Sequence, residues 1–307
     1  MREPILGGIA QTEQGRSRPF LRAGNMNCGG CGMSNILQLL SHAIAGRNVK
    51  LVIPASCGAI TAAVYPHSAF DVPAILTTFA SAASVATGLA SVARINNEDT
   101  RVICLAGDGG TYDIGLATLS AAAERNENIL YICYDNEIYG NTGGQRSSST
   151  PAGATTASTP DGKTEAKKDI MAIMAAHRIP YAATVSIAHA DDAVKKMRTA
   201  LDTGGFRFLH ILSPCPTGWK SEPAMGIELV RLAVRSGLFP VYEIVDGERY
   251  RISIEPDFSD EALAMYLSLQ RRFRKSGITE AGLRPGIEKY WHGLRALSGR
   301  IVPARRL

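Results

Sequence analysis

Apolar residues along this chain fall into two kinds of run. Residues 49–54, 102–106, 129–134, 181–185 and 206–212 are short, rich in β-branched side chains and without alternation, as expected of strands buried on both faces. Residues 36–44, 165–177 and 190–201 have helical spacing instead, and residues 74–95 read as one long helix of small residues suited to close packing against a sheet or another subunit. Between the second and third strands, Ile114, Leu116, Ala117, Leu119 and Ala121 lie near one helical face, which makes residues 101–134 a strand–helix–strand unit. Five strands alternating with helices predict an α/β fold with a doubly wound parallel sheet. From Ile227 a helix leads into FPVYEIVDGERYRISIEP, a predicted hairpin turning at Asp246-Gly247, and the last forty-five residues read as helical and then frayed. The division that follows is an arm over residues 1–27, an α/β domain over 28–220 and a C-terminal hairpin and helical extension over 221–307.

The polar breaks in this pattern carry the chemistry. Gly107-Asp108-Gly109-Gly110 follows one predicted strand and Asp135-Asn136-Glu137 the next, at the carboxyl ends where open parallel sheets bind ligands. Glycines let backbone approach phosphate oxygens, while Asp108 and Asn136 offer the hard oxygens that Mg²⁺ shares with phosphate and water. A Gly-Asp-Gly followed by 25 residues and then Asp135-Asn136 resembles the metal–diphosphate motif of thiamine diphosphate enzymes. In that family both side chains and the backbone carbonyl two residues beyond the amide, here Ile138, hold the metal. A dinucleotide fingerprint fits worse, because the third glycine of G-x-G-x-x-G is missing, and no G-x-x-x-x-G-K-[ST] loop occurs.

Composition narrows the class. With 307 residues, 45% of them hydrophobic, the chain can bury a substantial core. A net charge of +5 is too small to argue for nucleic acid, and no apolar run reaches the roughly 18 residues of a membrane helix. The first residues lack the apolar stretch of a signal peptide, so the chain is read as cytoplasmic. Residues 271–307 hold ten Lys or Arg against two Asp or Glu, read as a solvated helix face or subunit contact rather than a surface steering an acidic carrier. The six histidines form no sequence cluster and receive no ligand role.

Six cysteines in a cytoplasmic chain suggest metal or redox chemistry more than disulfides. Cys104 and Cys133 sit inside apolar strands and read as core thiols. Cys28, Cys31, Cys57 and Cys215 lie in loops flanked by Gly or Pro. Cys28-x-x-Cys31 alone suits a redox pair, half a zinc site or half an iron–sulfur site. Four thiolates suit zinc or a [4Fe–4S] cluster; a redox cluster has a chemical purpose beside thiamine diphosphate, and a structural zinc has none.

The motifs CGGCG, SCG, AGDGGTYDIG, YDNEIYGNTGGQRSSSTPAGA and SPCPTGW, in that order over residues 28–219, resemble the β subunit of the 2-oxoacid:ferredoxin oxidoreductases, of the pyruvate:ferredoxin oxidoreductase (pyruvate synthase) type. The resemblance implies that Cys28, Cys31, Cys57 and Cys215 ligate a [4Fe–4S] cluster and that Asn141 faces the reactive ring and the substrate. It implies oxidative decarboxylation of a 2-oxoacid, with electrons leaving through the cluster to ferredoxin and the acyl group passing to coenzyme A. Pyruvate is the leading substrate; oxalate, branched-chain, 2-oxoglutarate-type and aryl glyoxylate acids are alternatives, as is an electron-relay subunit that binds no substrate. Nothing here matches the glutamate that activates thiamine in the family, nor a ferredoxin-type cysteine run. An α subunit carrying that glutamate and much of the pocket, and a ferredoxin-like subunit with further clusters, are therefore the implied partners in a hetero-oligomer.

Overall fold

The structure is a computed structural model that describes residues 20–62 and 66–299. Most of the expected N-terminal arm and the expected frayed end past residue 299 lie outside the described residues. In chain order the first half comprises α1 (Gly32–Ile44), β1 (Asn48–Pro54), α2 (Cys57–Thr61), β2 (Ala74–Thr77), α3 (Ala82–Ile95), β3 (Thr100–Gly107), α4 (Leu116–Glu124) and β4 (Ile129–Asp135). The second half adds α5 (Ile170–Ala176), β5 (Tyr181–Ser186), α6 (Ala190–Asp202), β6 (Arg207–Leu212), α7 (Pro216–Trp219) and α8 (Gly226–Arg235). It ends with β7 (Val241–Val245), β8 (Arg249–Ile254), α9 (Asp260–Ser268) and α10 (Glu280–Ser298).

The strands form one sheet in the order β2-β1-β3-β4-β6-β5-β7-β8. The first six are parallel, and the predicted hairpin adds two antiparallel strands by pairing β7 with β5. Its turn has positive φ at both Asp246 and Gly247, and three residues, 246–248, separate the paired Val245 and Arg249. Helices cover both faces, which explains why the strands carry no polar alternation. On β3, Ile103 and Leu105 face the layer of α1, α6 and α8, while Val102, Cys104 and Ala106 face α3, α4 and α5. Cys104 and Cys133 are fully buried among apolar neighbours, as the strand pattern requires.

Neighbouring strands β1 and β3 connect onward in opposite directions, β1 to β2 on one side and β3 to β4 on the other. That reversal opens a crevice at their carboxyl ends, because the flanking helices diverge there. Cys57, expected in a loop, instead opens the short helix α2 after β1, and Gly107-Asp108-Gly109-Gly110 closes β3.

The expected helix over residues 74–95 is corrected. Ala74–Thr77 is instead a strand, paired in register from Leu51↔Ala74 to Pro54↔Thr77, and the helix begins only at Ala82. The open edge of β1 supplies hydrogen-bond partners that outweigh a helical spacing made of small residues. The helix expected over 165–177 also shortens to Ile170–Ala176, where Asp169 caps it by accepting from the Ala172 N–H at 2.9 Å. Lys167 and Lys168 are thereby left on extended chain. No helix among the described residues is long and apolar enough to cross a membrane.

Candidate metal–diphosphate site

Past β3 the chain makes one wide helical turn over Gly109–Asp113, closed by the Ile114 N–H on the Gly109 carbonyl, before α4 begins. Gly109 is required there, since a Cβ would stand 1.7 Å from Cε1 of the Tyr139 ring. Asp108 is buried, and its Oδ2 accepts a hydrogen bond from the Ser147 hydroxyl. Past β4, one polar atom of the Asn136 amide lies 2.8 Å from the Ile138 carbonyl oxygen and 3.0 Å from Asp108 Oδ1. As a nitrogen it would donate to both. As an oxygen it faces two further acceptors, a set of the kind that coordinates a hard cation. Octahedral Mg²⁺ with bonds of about 2.1 Å spaces adjacent ligand oxygens about 3 Å apart, so the donor set fits the ion in both chemistry and spacing. Burial, and then the nearby Asp135 charge, push the Asp108 carboxyl well above its ordinary range, a shift a divalent cation would reverse.

These groups open onto a cleft of about 590 Å³. Gly107, Asp108, Gly109, Gly110, Asn136, Ile138, Asn141 and Cys57 all line it, together with the apolar Ala59, Ile60 and Phe79. Asn141 is exposed at its mouth and accepts a hydrogen bond from the Cys57 thiol at 3.3 Å.

Cys28, Cys31 and Cys215 lie behind the cleft rather than on its wall. Their loops meet because Gly32 donates its N–H to the Pro214 carbonyl at 2.9 Å, an approach that a Cβ would block by standing 2.5 Å from Pro214 Cδ. Burial raises the Cys31, Cys57 and Cys215 thiols, Cys57 to about 12, and the neighbouring thiols of the set raise each further. Among the described residues, no group of three or more His, Cys, Asp or Glu side chains is arranged to hold a metal ion.

A buried charge network stands behind the oxygen site, and the sequence reading missed it. Asp135 Oδ2 lies 2.7 Å from Lys167 Nζ, 2.7 Å from His210 Nε2 and 3.1 Å from the Tyr112 hydroxyl. Burial pushes the Asp135 carboxyl up, but Lys167 and His210 outweigh it and hold that carboxyl well below the usual carboxylate range. Lys167 also bonds Glu137 at 3.0 Å, and Arg272 bonds the other Glu137 oxygen at 2.6 Å. Arg272 is therefore buried, correcting its expected place on a solvated or partner-facing basic surface. His210, given no role from sequence, is bonded to a carboxylate after all. The available signal was a lone histidine inside the apolar strand FRFLHIL, which needs a buried partner.

Comparison with known proteins decides the family. Residues 55–211 match "Thiamine pyrophosphate enzyme, C-terminal TPP binding domain". Pyruvate synthase subunit PorB of Methanothermobacter thermautotrophicus is 43% identical over 261 residues, covering 83% of this chain and 90% of that protein. The chain belongs to the 2-oxoacid oxidoreductase β-type subunits. Another relative, ketoisovalerate oxidoreductase subunit VorB of Pyrococcus horikoshii, is 40% identical over 289 residues, covering 90% of this chain and 92% of that one. A solved 2-oxoglutarate:ferredoxin oxidoreductase from Magnetococcus marinus has the same fold, with a TM-score of 0.59 at 23% identity over 72% of this chain and 82% of that chain.

For this β-type subunit, the thiamine-binding match spans the end of β1 to β6 and so contains Asp108, Asn136, Ile138, Asn141 and Cys57. Cys28, Cys31 and Cys215 fall outside it. The match therefore bears on the oxygen site and the cleft, and leaves the thiol set to its own chemistry.

Proposed function

We propose that this chain is the catalytic β subunit of a 2-oxoacid:ferredoxin oxidoreductase that oxidises pyruvate, with coenzyme A as acyl acceptor. The observation that carries the reading is the approach of the Asp108 carboxylate and the Ile138 carbonyl to one end of the Asn136 amide, on the wall of a cleft in a thiamine-binding domain. When bound, thiamine diphosphate supplies the electron sink for decarboxylation. Asp108, Asn136 and Ile138 would hold the Mg²⁺ that fixes its diphosphate, while Gly107, Gly109 and Gly110 let backbone reach the phosphate oxygens. Asn141, at the cleft mouth, would hydrogen-bond the substrate oxygen on which negative charge develops.

Cys28, Cys31, Cys57 and Cys215 would ligate a [4Fe–4S] cluster beside the cleft. Four thiolates would suit zinc as well as a cubane, and the redox cluster is preferred because electrons leaving a bound thiamine need an acceptor beside the cleft, whereas a structural zinc there would serve no such purpose. An α subunit with the activating glutamate, and a ferredoxin-like subunit to carry electrons outward, complete the enzyme. A branched-chain 2-oxoacid is the second reading. Relatives named for pyruvate and for ketoisovalerate match at similar identity, and Ala59, Ile60 and Phe79 give the cleft an apolar wall.

The test is metal and cofactor analysis of the anaerobically purified complex. About four irons and four acid-labile sulfides per β chain are expected. Asp108→Ala should lose thiamine diphosphate, and Asn136→Ala should retain more of it, since water can partly replace a neutral ligand. Zinc without sulfide would end the cluster assignment, and undiminished cofactor binding by Asp108→Ala would end the metal assignment.

A further inference from the structure

We propose that Arg272 is a positioning residue for the metal-binding turn: through the Glu137 carboxylate it holds the left-handed backbone conformation that brings the Asn136 and Ile138 oxygens together. The inference rests on the metal site proposed above and adds to it a dependence on a segment 135 positions away in sequence.

Glu137 lies between the two proposed ligands and has φ of +63°. A side chain crowds its own backbone in that region, and non-glycine residues adopt it only where their surroundings impose it. Local reasons account for most of the other cases in this chain. Asn97, Asn126, Arg178 and Lys220 follow the ends of helices, and Asp246 turns the hairpin. Glu137 follows a strand instead, and tertiary contacts join one local bond in holding it. The local one runs from its N–H to Asp135 Oδ1, two residues back, at 3.0 Å, and its carbonyl accepts from the distant Thr150 hydroxyl at 2.7 Å. One carboxylate oxygen bonds Lys167 and the other bonds Arg272.

Arg272 is itself fixed. Its Nε donates to Gln270 at 2.9 Å, its guanidinium lies 4.4 Å from the centre of the Trp219 ring, and its carbonyl accepts from the Thr155 N–H at 2.8 Å. Trp219 donates its indole N–H to the Asn136 carbonyl at 2.8 Å. Arg272 therefore bears on both sides of the turn, on residue 137 by charge and on residue 136 through the indole it stacks upon. Glycine at 137 would adopt the same φ with no clamp. A buried glutamate ties the turn to the docking of residues 271–273 instead.

The experiment separates backbone conformation from charge by comparing Glu137→Ala with Glu137→Gly in the enzyme assembled with its partner subunits. Both remove the carboxylate, but only glycine takes the positive φ freely. The readout is the Mg²⁺ concentration needed for half-retention of thiamine diphosphate, with circular dichroism and iron content as controls of assembly. Glu137→Ala and Arg272→Met should each raise that concentration roughly 10- to 100-fold, the usual effect of removing an outer-shell partner of a metal ligand. Glu137→Gly should bind at least about tenfold more tightly than Glu137→Ala, and adding it to Arg272→Met should recover a similar factor. Equal behaviour of the alanine and glycine variants, or a wild-type Mg²⁺ requirement in Arg272→Met, would overturn the clamp. If Arg272→Met fails to assemble, Arg272→Gln takes its place with the same expected and refuting results, because the alanine–glycine pair tests the backbone conformation and not which partner of Glu137 imposes it. Wild-type enzyme that retains thiamine diphosphate with no need of Mg²⁺ would remove the metal site itself, a failure the wild-type titration reports separately.

Discussion

Replacing Lys167 with methionine tests whether the charges behind the cleft are held by one another. The half-buried lysine serves two carboxylates at once, Asp135 at 2.7 Å and Glu137 at 3.0 Å, whose side chains are only 0% and 7% exposed. Methionine keeps most of the packed stem and removes only the charge. Breaking a buried ion pair by removing one partner destabilises by about 3–5 kcal/mol, because the remaining charge stays buried and uncompensated. Here the lower end applies: Asp135 keeps His210 at 2.7 Å and a hydroxyl from Ser149, and Glu137 keeps Arg272. A loss of about 3 kcal/mol is a large part of the roughly 5–15 kcal/mol that holds a domain together. Thermal unfolding should shift down by roughly 6–12 °C in a chain of this size. Lys167→Met in an Asp135→Asn background should lose at least about 1 kcal/mol less, because the two residues share one interaction. A single-variant loss under about 0.5 kcal/mol, or the same loss in both backgrounds, would refute charge compensation as the lysine's role.

Asn141→Ala should leave thiamine diphosphate and iron content unchanged while 2-oxoacid-dependent dye reduction by the assembled enzyme falls by roughly 10²–10³, the effect of losing one preorganised donor; unchanged turnover would take Asn141 off the catalytic list. Away from the site, burial pushes the Glu243 carboxyl up, but hydrogen bonds from Tyr181 at 2.6 Å and from Arg251 outweigh it and lower its pKa. A depressed carboxylate contributes stability above its unfolded pKa of about 4.3, and that contribution disappears as pH falls through the folded value. The thermal midpoint of the wild type should therefore drop more steeply than that of Glu243→Gln below about pH 4.3, and parallel curves would rule the pairing out.

Much of the architecture is written locally. Strands buried on both faces are largely apolar, with the few polar exceptions paired, so β1, β3, β4, β5 and β6 could be placed to within a residue or two. Asp108 and Asn136 could be named because a parallel sheet delivers the residues after its strands to one edge, and the glycines around them mark where backbone must come close. Residues 74–77 were harder: their spacing suits a helix and only the vacant edge of β1 makes them a strand. Lys167 was hidden for a related reason, since a helix starting five residues later than expected turned a surface position into a half-buried partner of buried carboxylates.

What the sequence by itself determined was therefore the parallel α/β class, five of its strands and the residues at their carboxyl ends whose chemistry suits a metal and a diphosphate. These follow from periodicity, turn chemistry and donor type, all of which act over a few residues. Only the tertiary structure decided that His210 meets Asp135, that Arg272 reaches Glu137 across 135 positions, and that the Cys28–Cys31 loop lies against Pro214. A charge carries no mark of its partner in the sequence; the partner is chosen by the path of the folded chain, which brings distant segments within hydrogen-bonding distance and removes the water that would otherwise serve both.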